Sequence, residues 1–233
     1  MNREEFIREV NNLSIDLNDK ILSNLEEYYN ILKEENQKYN LTRIIEKDDV
    51  YLKHFYDSLT ISKIIDIKSQ SICDLGSGAG FPGLVLSICY PESNLILIES
   101  NGKKCNFLNI VKDKLGLNNV TVINARVEEY AKENRELYDI VTARAVAPIK
   151  HLLEYGISLV KVNGNFIAMK SNVEEETKNI ENYYNKLNIN EAKKITFYLP
   201  KEDSLRTLLK YKKEEKTNMK YPRRYSEIIK KDI

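Results

Sequence analysis

The sequence predicts an α/β protein with a mostly parallel, seven-stranded sheet, helices on both faces of that sheet, and an N-terminal helical extension. Short apolar runs alternate with helix-like stretches from about residue 70 onward, which is typical of strand–helix–strand units. The first 65 or so residues instead carry apolar residues at three-to-four spacing, which indicates amphipathic helices. We therefore divide the chain into a helical extension, 1–66, and a sheet domain, 67–233.

In the extension, an apolar stripe runs from Ile21 through Leu25 to Leu32, with charged residues between its members. Either Asn18 or its neighbour Asp19 could cap the start of that helix. A second helical stretch is predicted over about 49–65.

Seven apolar runs predict the strands of the sheet domain. In chain order they read SICDLG, NLILIES, VTVINA, YDIVTA, GNFIAMK, ITFYLP and TLLKYKK. We expect the last two runs to close the sheet as a hairpin.

The run CDLGSGAGFPG holds half of the eight glycines in the chain. Gly76, Gly78 and Gly80 follow the first strand, where α/β sheets bind ligands, and glycines there permit positive φ and a close backbone approach. A dinucleotide fingerprint would need glycine where Phe81 stands, and Asp74 would repel a pyrophosphate. The spacing resembles instead the first motif of S-adenosylmethionine-dependent methyltransferases, although a purely structural loop is the alternative.

Carboxylates follow the next two strands. Glu99 ends the second strand, where an acid can accept hydrogen bonds from both ribose hydroxyls of a nucleoside. After the third strand, Val127 and Glu128 could contact the edge of an adenine.

The composition excludes several classes of protein. The net charge is +1, no apolar run approaches the roughly 18 residues that span a bilayer, and the N-terminus lacks a signal peptide. We expect a cytoplasmic protein with buried, unreactive thiols at Cys73, Cys89 and Cys105. Two histidines and no CxxC predict no metal site.

Several motifs, in order, resemble the RsmG (GidB) family of small-subunit rRNA methyltransferases. They are DLGSGAGFPG, ESNGKKCNFL, ARVEE and TARA, with NLTRI at 40–44 and HFYDSL at 54–59 upstream. The resemblance covers roughly residues 25–225. It departs at Lys104, where the family usually has arginine, and after KYPRR, where YSEIIKKDI replaces a glycine- and proline-rich ending.

This resemblance implies a Rossmann-like class I fold and methyl transfer from S-adenosylmethionine to N7 of one guanine in 16S rRNA. The partner would be that rRNA or the small ribosomal subunit, and a monomer is the default expectation. Carried over by motif position, the cofactor-binding residues are Gly76, Phe81, Val127, Glu128 and Arg144, with Glu99 and Ser100 at the ribose end. The argument from the glycine turn adds Gly78 and Gly80 to this set.

The acceptor chemistry agrees with this expectation. Guanine N7 already presents a lone pair, so no catalytic base is needed, and the chain lacks both an Asn/Asp-Pro-Pro-aromatic motif and a suitably placed cysteine nucleophile. Arg144, at the end of the fourth strand, is the candidate for positioning the reacting groups. A structural ion pair between Arg144 and Glu128 is the alternative.

Candidate RNA-binding residues lie at both ends of the chain. They are Arg43, His54, Lys220, Arg223 and Arg224, with Tyr221 and Tyr225 as stacking rings. The alternatives are a solvated basic tail and a His54–Asp57 pair on a helix surface. A small-molecule methyltransferase and a non-catalytic cofactor-binding protein stay open as rival functions, and a nicotinamide oxidoreductase is least favoured.

Overall fold

The computed structural model describes all 233 residues and contains one seven-stranded sheet. The strands are β1 (Ser71–Leu75), β2 (Asn94–Glu99), β3 (Val120–Asn124), β4 (Tyr138–Arg144), β5 (Val160–Lys170), β6 (Lys193–Tyr198) and β7 (Leu205–Lys212). Their spatial order is β3-β2-β1-β4-β5-β7-β6. The first five strands are parallel, and β7 runs antiparallel to both β5 and β6. The predicted fold class and the predicted C-terminal hairpin are therefore confirmed.

Ten helices surround the sheet. They are α1 (Arg3–Asn11), α2 (Asp19–Tyr39), α3 (Lys47–Val50), α4 (Asp57–Leu59), α5 (Gly83–Cys89), α6 (Gly102–Leu115), α7 (Val127–Glu133), α8 (Ile149–Leu159), α9 (Glu181–Leu187) and α10 (Tyr225–Ile228). A π-helical turn, Tyr51–Tyr56, joins α3 to α4, and a 3₁₀ turn, Thr60–Lys63, follows. The second helical stretch is thus a series of short turns. None of the helices is both long and apolar enough to cross a membrane.

The strand order places a crevice at the carboxyl end of β1. This strand pairs with β2 on one side and β4 on the other, and the chain leaves β1 and β4 towards opposite edges of the sheet. Ligands of open α/β sheets bind at such a reversal of strand order.

The N-terminal extension packs on one face of the sheet domain. Asn18 caps α2 by accepting a hydrogen bond of 2.9 Å from the amide of Ile21. The apolar stripe of α2, with Leu25 fully buried, shares one apolar cluster with Leu84 of α5 and Phe107 of α6. The division between 1–66 and 67–233 stays a prediction.

One side chain of α2 reaches the loop after β1. The hydroxyl of Tyr28 donates a hydrogen bond to the carbonyl of Ala79, and its ring stacks on both Phe55 and Phe81 at centroid distances of 5.4 and 5.5 Å. The extension therefore fixes the conformation of the glycine-rich turn.

Candidate active site

The three glycines after β1 have different surroundings. All have positive φ: +65° at Gly76, +59° at Gly78 and +91° at Gly80. A Cβ atom at Gly76 would lie 2.9 Å from the methyl groups of Val146, and one at Gly80 would lie 2.6 Å from the Tyr28 hydroxyl. At Gly78 the nearest atom is a backbone oxygen 3.8 Å away. The absent side chain at Gly78 therefore leaves open space that a ligand can occupy.

The buried carboxylate of Asp74 lies beneath this turn. Its Oδ2 accepts a 3.0 Å hydrogen bond from the amide of Gly83, and a Cβ atom at Gly83 would overlap Leu97. Its Oδ1 is buried without a partner. Burial raises the pKa of Asp74 to about 6. A fully buried carboxylate contributes negative potential beneath the turn, which suits a cationic ligand such as S-adenosylmethionine.

Glu99 joins the glycine turn to the end of β2. Its Oε2 accepts from the amide of Gly78 at 2.9 Å, and its Oε1 accepts from the amide of Asn101 at 2.8 Å. Each carboxylate oxygen has a second lone pair, so both remain able to accept from ribose hydroxyls. The neighbouring Ser100 is exposed.

Val127 and Glu128 begin α7 beyond β3, next to the strand that carries Glu99. Both side chains are buried. Glu128 Oε1 lies 3.5 Å from the guanidinium of Arg126, which caps α7. The alternative prediction from the sequence, an ion pair between Arg144 and Glu128, is therefore wrong.

Arg144 instead binds the N-terminal extension. Its Nη1 donates to the carbonyl of Lys53 at 3.1 Å and to Oδ2 of Asp57 at 3.2 Å. Its guanidinium carbon lies 5.2 Å from the ring centroid of Phe81, within cation–π range. Arg144 therefore lies between the cofactor turn and the extension.

Asp57 binds a second arginine that the sequence analysis did not identify. Its Oδ1 accepts from Nε of Arg206 at 2.9 Å, and only 4% of Asp57 is exposed. Arg206 Nη1 donates to Ser204 Oγ and to the carbonyl of Leu205. The one signal in the sequence was a charged residue directly before the apolar run TLLKYKK, two positions from the buried Leu208 and so on the same face of β7.

His54 lies inside the protein rather than on a helix surface. Its ring stacks on Phe81 at 4.2 Å, its Nδ1 lies 3.3 Å from Arg144 Nη2, and its Nε2 lies 3.1 Å from Thr42 Oγ1. Burial and the charge of Arg144 lower the pKa of His54 to about 3. A neutral, buried imidazole is a poor phosphate ligand, although the RNA contact of His54 stays a prediction. No His54–Asp57 pair forms.

A cleft of about 640 Å³ separates the extension from the sheet. Side chains that line it include Lys53, His54, Thr60, Arg144, Lys170 and Arg206. This volume is within the range of small-ligand sites and accommodates a nucleobase. Val146, which contacts the glycine turn, also lines the cleft. The cofactor turn and the cleft are therefore neighbours.

The C-terminal tail only partly fits the predicted RNA surface. Arg223 binds the fully buried carboxylate of Glu154 through two hydrogen bonds of 2.7 Å, and Tyr221 is 4% exposed. Arg223 is thus paired and half-buried and Tyr221 is buried, while their contact with RNA stays a prediction. Lys220, Arg224 and Tyr225 are exposed.

Two other predictions concern surface exposure. Arg43 is exposed beside Ile44, which lines the cleft. All three cysteines are buried thiols, as predicted.

Comparisons with known proteins decide the family. The sequence model described as "GidB: rRNA small subunit methyltransferase G" matches residues 21–206. The ribosomal RNA small subunit methyltransferase G of Mycoplasma capricolum is 47% identical over 92% of both chains, and that of Mesoplasma florum is 45% identical over 94% of this chain and 92% of the relative. The protein of the same name from Bacillus cytotoxicus is 43% identical over 96% of this chain and 95% of the relative. The chain belongs to this family.

Solved structures agree on the fold alone. An S-adenosylmethionine-dependent O-methyltransferase of Thermotoga maritima superposes with a TM-score of 0.54 at 16% identity, covering 80% of this chain and 72% of that one. TYW2 of M. jannaschii, in complex with AdoMet, superposes with a TM-score of 0.54 at 16% identity, covering 73% of this chain and 79% of that one. The fold is therefore that of S-adenosylmethionine-dependent methyltransferases, and this family uses that cofactor.

Gly78→Ala tests the position of the cofactor. We expect at least a tenfold loss of S-adenosylmethionine affinity, because the new methyl group enters the open space beside the turn. Gly116→Ala is the matched control, since Gly116 has φ +64° and nothing within 4 Å of its added Cβ. Either alanine adds about 1–2 kcal/mol of backbone strain. Calorimetric titration of both folded variants gives the comparison, and equal affinity in the two would contradict the placement.

The protonation of His54 gives a second prediction. Its pKa of about 3 lies below the usual 6.5, so the folded state excludes a proton that the unfolded chain binds. This contribution to stability is complete above about pH 6.5 and is lost as the pH falls towards 3. Nitrogen NMR at pH 5 should show a neutral ring protonated on Nε2, since Nδ1 accepts from Arg144. A ring that titrates near pH 6.5 would refute this arrangement.

Proposed function

We propose that this protein transfers a methyl group from S-adenosylmethionine to N7 of one guanine in the 16S rRNA of the small ribosomal subunit. The observation that carries the proposal is a cleft next to the cofactor turn that accommodates a base and in which each candidate catalytic base has a partner within the protein: Lys53, His54, Asp57, Lys170 and Glu176. Membership of the rRNA small subunit methyltransferase G family supplies the RNA substrate class.

The cofactor would lie across the glycine turn. The open space at Gly78 and the negative potential of the buried Asp74 carboxylate fit a cationic nucleoside, and Glu99 fits its ribose. We assign the ribose end to Glu99 with Ser100, and the adenine edge to Val127 with Glu128. When bound, S-adenosylmethionine supplies the methyl group, whose bond to sulfur breaks as the bond to N7 forms.

The groups that could act as a base in the cleft are all engaged, and its two carboxylates, Asp57 and Glu176, are each paired with a cation. His54 accepts a hydrogen bond at Nδ1 and donates one at Nε2. Lys53 is paired with Asp49 and Glu202, each at 2.9 Å. An acceptor that must lose a proton before attack is a poor match for such a site. Guanine N7 requires only positioning.

Lys170 is also engaged. Its ammonium is 2.7 Å from both Glu176 and the carbonyl of Ala147, which holds the loop after β4 in place. That loop carries Val146 against the glycine turn. Lys170 therefore shapes the wall of the cleft.

The geometry of RNA restricts the substrate further. N7 lies on the major-groove edge, and the major groove of A-form RNA is too deep and narrow for a protein pocket to reach. The target guanine is therefore in a loop or is extruded from the stack. Exposed Arg43, Lys220 and Arg224 are the proposed phosphate contacts. We expect a monomer that acts in the cytoplasm, where small subunits are assembled.

Incubation with radiolabelled methyl donor tests the function directly. We expect label in 16S rRNA, supplied either deproteinised or as small subunits, at a single guanine whose N7 methylation makes the chain cleavable after borohydride and aniline treatment. Free guanosine nucleotides should be labelled far less, because they lack the phosphate contacts that make RNA affinity fall with added salt.

Arg144→Ala should lower kcat/KM in this assay by well over tenfold, roughly 1.4 kcal/mol or more of transition-state stabilisation. Arg8→Ala is the control, because Arg8 is an exposed arginine on α1. Equal labelling of RNA and free nucleotides would contradict the proposed substrate, and near-normal turnover of Arg144→Ala would make Arg144 structural only.

A further inference from the structure

The cleft wall contains two largely buried arginines. Arg144 and Arg206 share the single carboxylate of Asp57, with 13% and 21% of their side chains exposed. Lys53 and Lys170 have acidic partners of their own. One carboxylate cannot accept from every donor of two guanidinium groups, so a donor that is left over is available to an electron-rich ligand group.

Among the terminal nitrogens of the two guanidinium groups, the free donor belongs to Arg206. Both Nη atoms of Arg144 are used, Nη1 by the Lys53 carbonyl and Asp57, and Nη2 by His54. In Arg206, Nε binds Asp57 and Nη1 binds Ser204 and Leu205, whereas Nη2 has no partner within the protein. Since Arg206 lines the cleft, its Nη2 is the group available to a ligand there.

We propose that Arg206 recognises O6 of the acceptor guanine and thereby determines the base specificity of the reaction. This inference rests on the proposed function. Guanine presents two acceptors on its major-groove edge, N7 and O6. N7 must remain free for the methyl group and becomes positively charged after transfer, so a guanidinium can oppose only O6. Adenine carries an amino group at that position, which would meet a donor and be rejected.

Asp57 fixes the direction of this donor. It holds Nε of Arg206 from the extension, and the Arg206 side chain is further restrained by Ser204. A guanidinium held at Nε and Nη1 has a defined plane, so the direction of Nη2 is set before the base arrives. A phosphate contact fits this position less well, because backbone phosphates would meet the exposed cations at the rim, such as Arg43.

The test compares two substrate RNAs that differ only at the target base, guanine or 2-aminopurine, which keeps N7 and lacks O6. We expect the wild-type protein to favour guanine by at least about tenfold in kcat/KM. Arg206→Met should reduce this preference to within about threefold, chiefly by slowing the guanine RNA. Lys210→Met is the matched control, since Lys210 lies on the same face of β7 outside the cleft.

A second variant keeps the proposal testable if Arg206→Met does not fold. Arg206→Lys keeps a positive charge beside Asp57 but loses the forked donor, so we expect its preference for guanine to fall at least about fivefold. Calorimetry should show unchanged binding of S-adenosylmethionine by both variants.

Two results would overturn the assignment of Arg206. One is an equal loss on both RNAs, which would indicate a phosphate contact, and the other is an undiminished preference for guanine in the variants. If either result is found but the wild-type protein still methylates the guanine RNA at N7, the proposed function stands and only the role of Arg206 is refuted. Failure of the wild-type protein to methylate either RNA would remove both proposals.

Discussion

The buried carboxylate of Asp57 is the interaction on which the site depends. It accepts hydrogen bonds from Arg144 at the end of β4 and from Arg206 on β7, and it belongs to the N-terminal extension. One carboxylate thus joins three parts of the chain that lie far apart in sequence. Because a buried guanidinium requires a counter-charge, we expect Asp57 to be the main contact that holds both arginine side chains in the cleft wall.

The same contacts reach the cofactor turn. The guanidinium of Arg144 lies within cation–π range of the Phe81 ring, and His54 stacks on the same ring. Tyr28 binds the backbone of the turn itself. The extension therefore forms one wall of the acceptor cleft and also orders the turn where the cofactor would bind. This arrangement explains how a site without a free base can act, because methylation of N7 depends on position and on the exclusion of competing groups.

Local patterns in the sequence predicted the sheet, the glycine turn and Glu99, because each depends on residues a few positions apart. The partner of Arg144 could not be predicted, since Asp57 lies 87 positions away and Arg206 lies a further 62 beyond Arg144. The tail shows the same limit. Arg223 looked like a surface cation until the structure placed it against Glu154, 69 positions earlier in the chain. Composition gives the number of positive and negative residues in a segment, but only tertiary packing decides which of these charges are paired.

A double-mutant cycle on the free energy of unfolding tests the shared carboxylate most directly. Asp57→Asn leaves two buried guanidinium groups without a counter-charge and should lower stability by about 3–5 kcal/mol. Adding Arg206→Met removes one of those charges, so urea unfolding of the double variant should show a loss smaller than the sum of the single losses by at least about 1 kcal/mol. Losses that add to within about 0.5 kcal/mol would mean that Asp57 and Arg206 are not coupled, which contradicts the account.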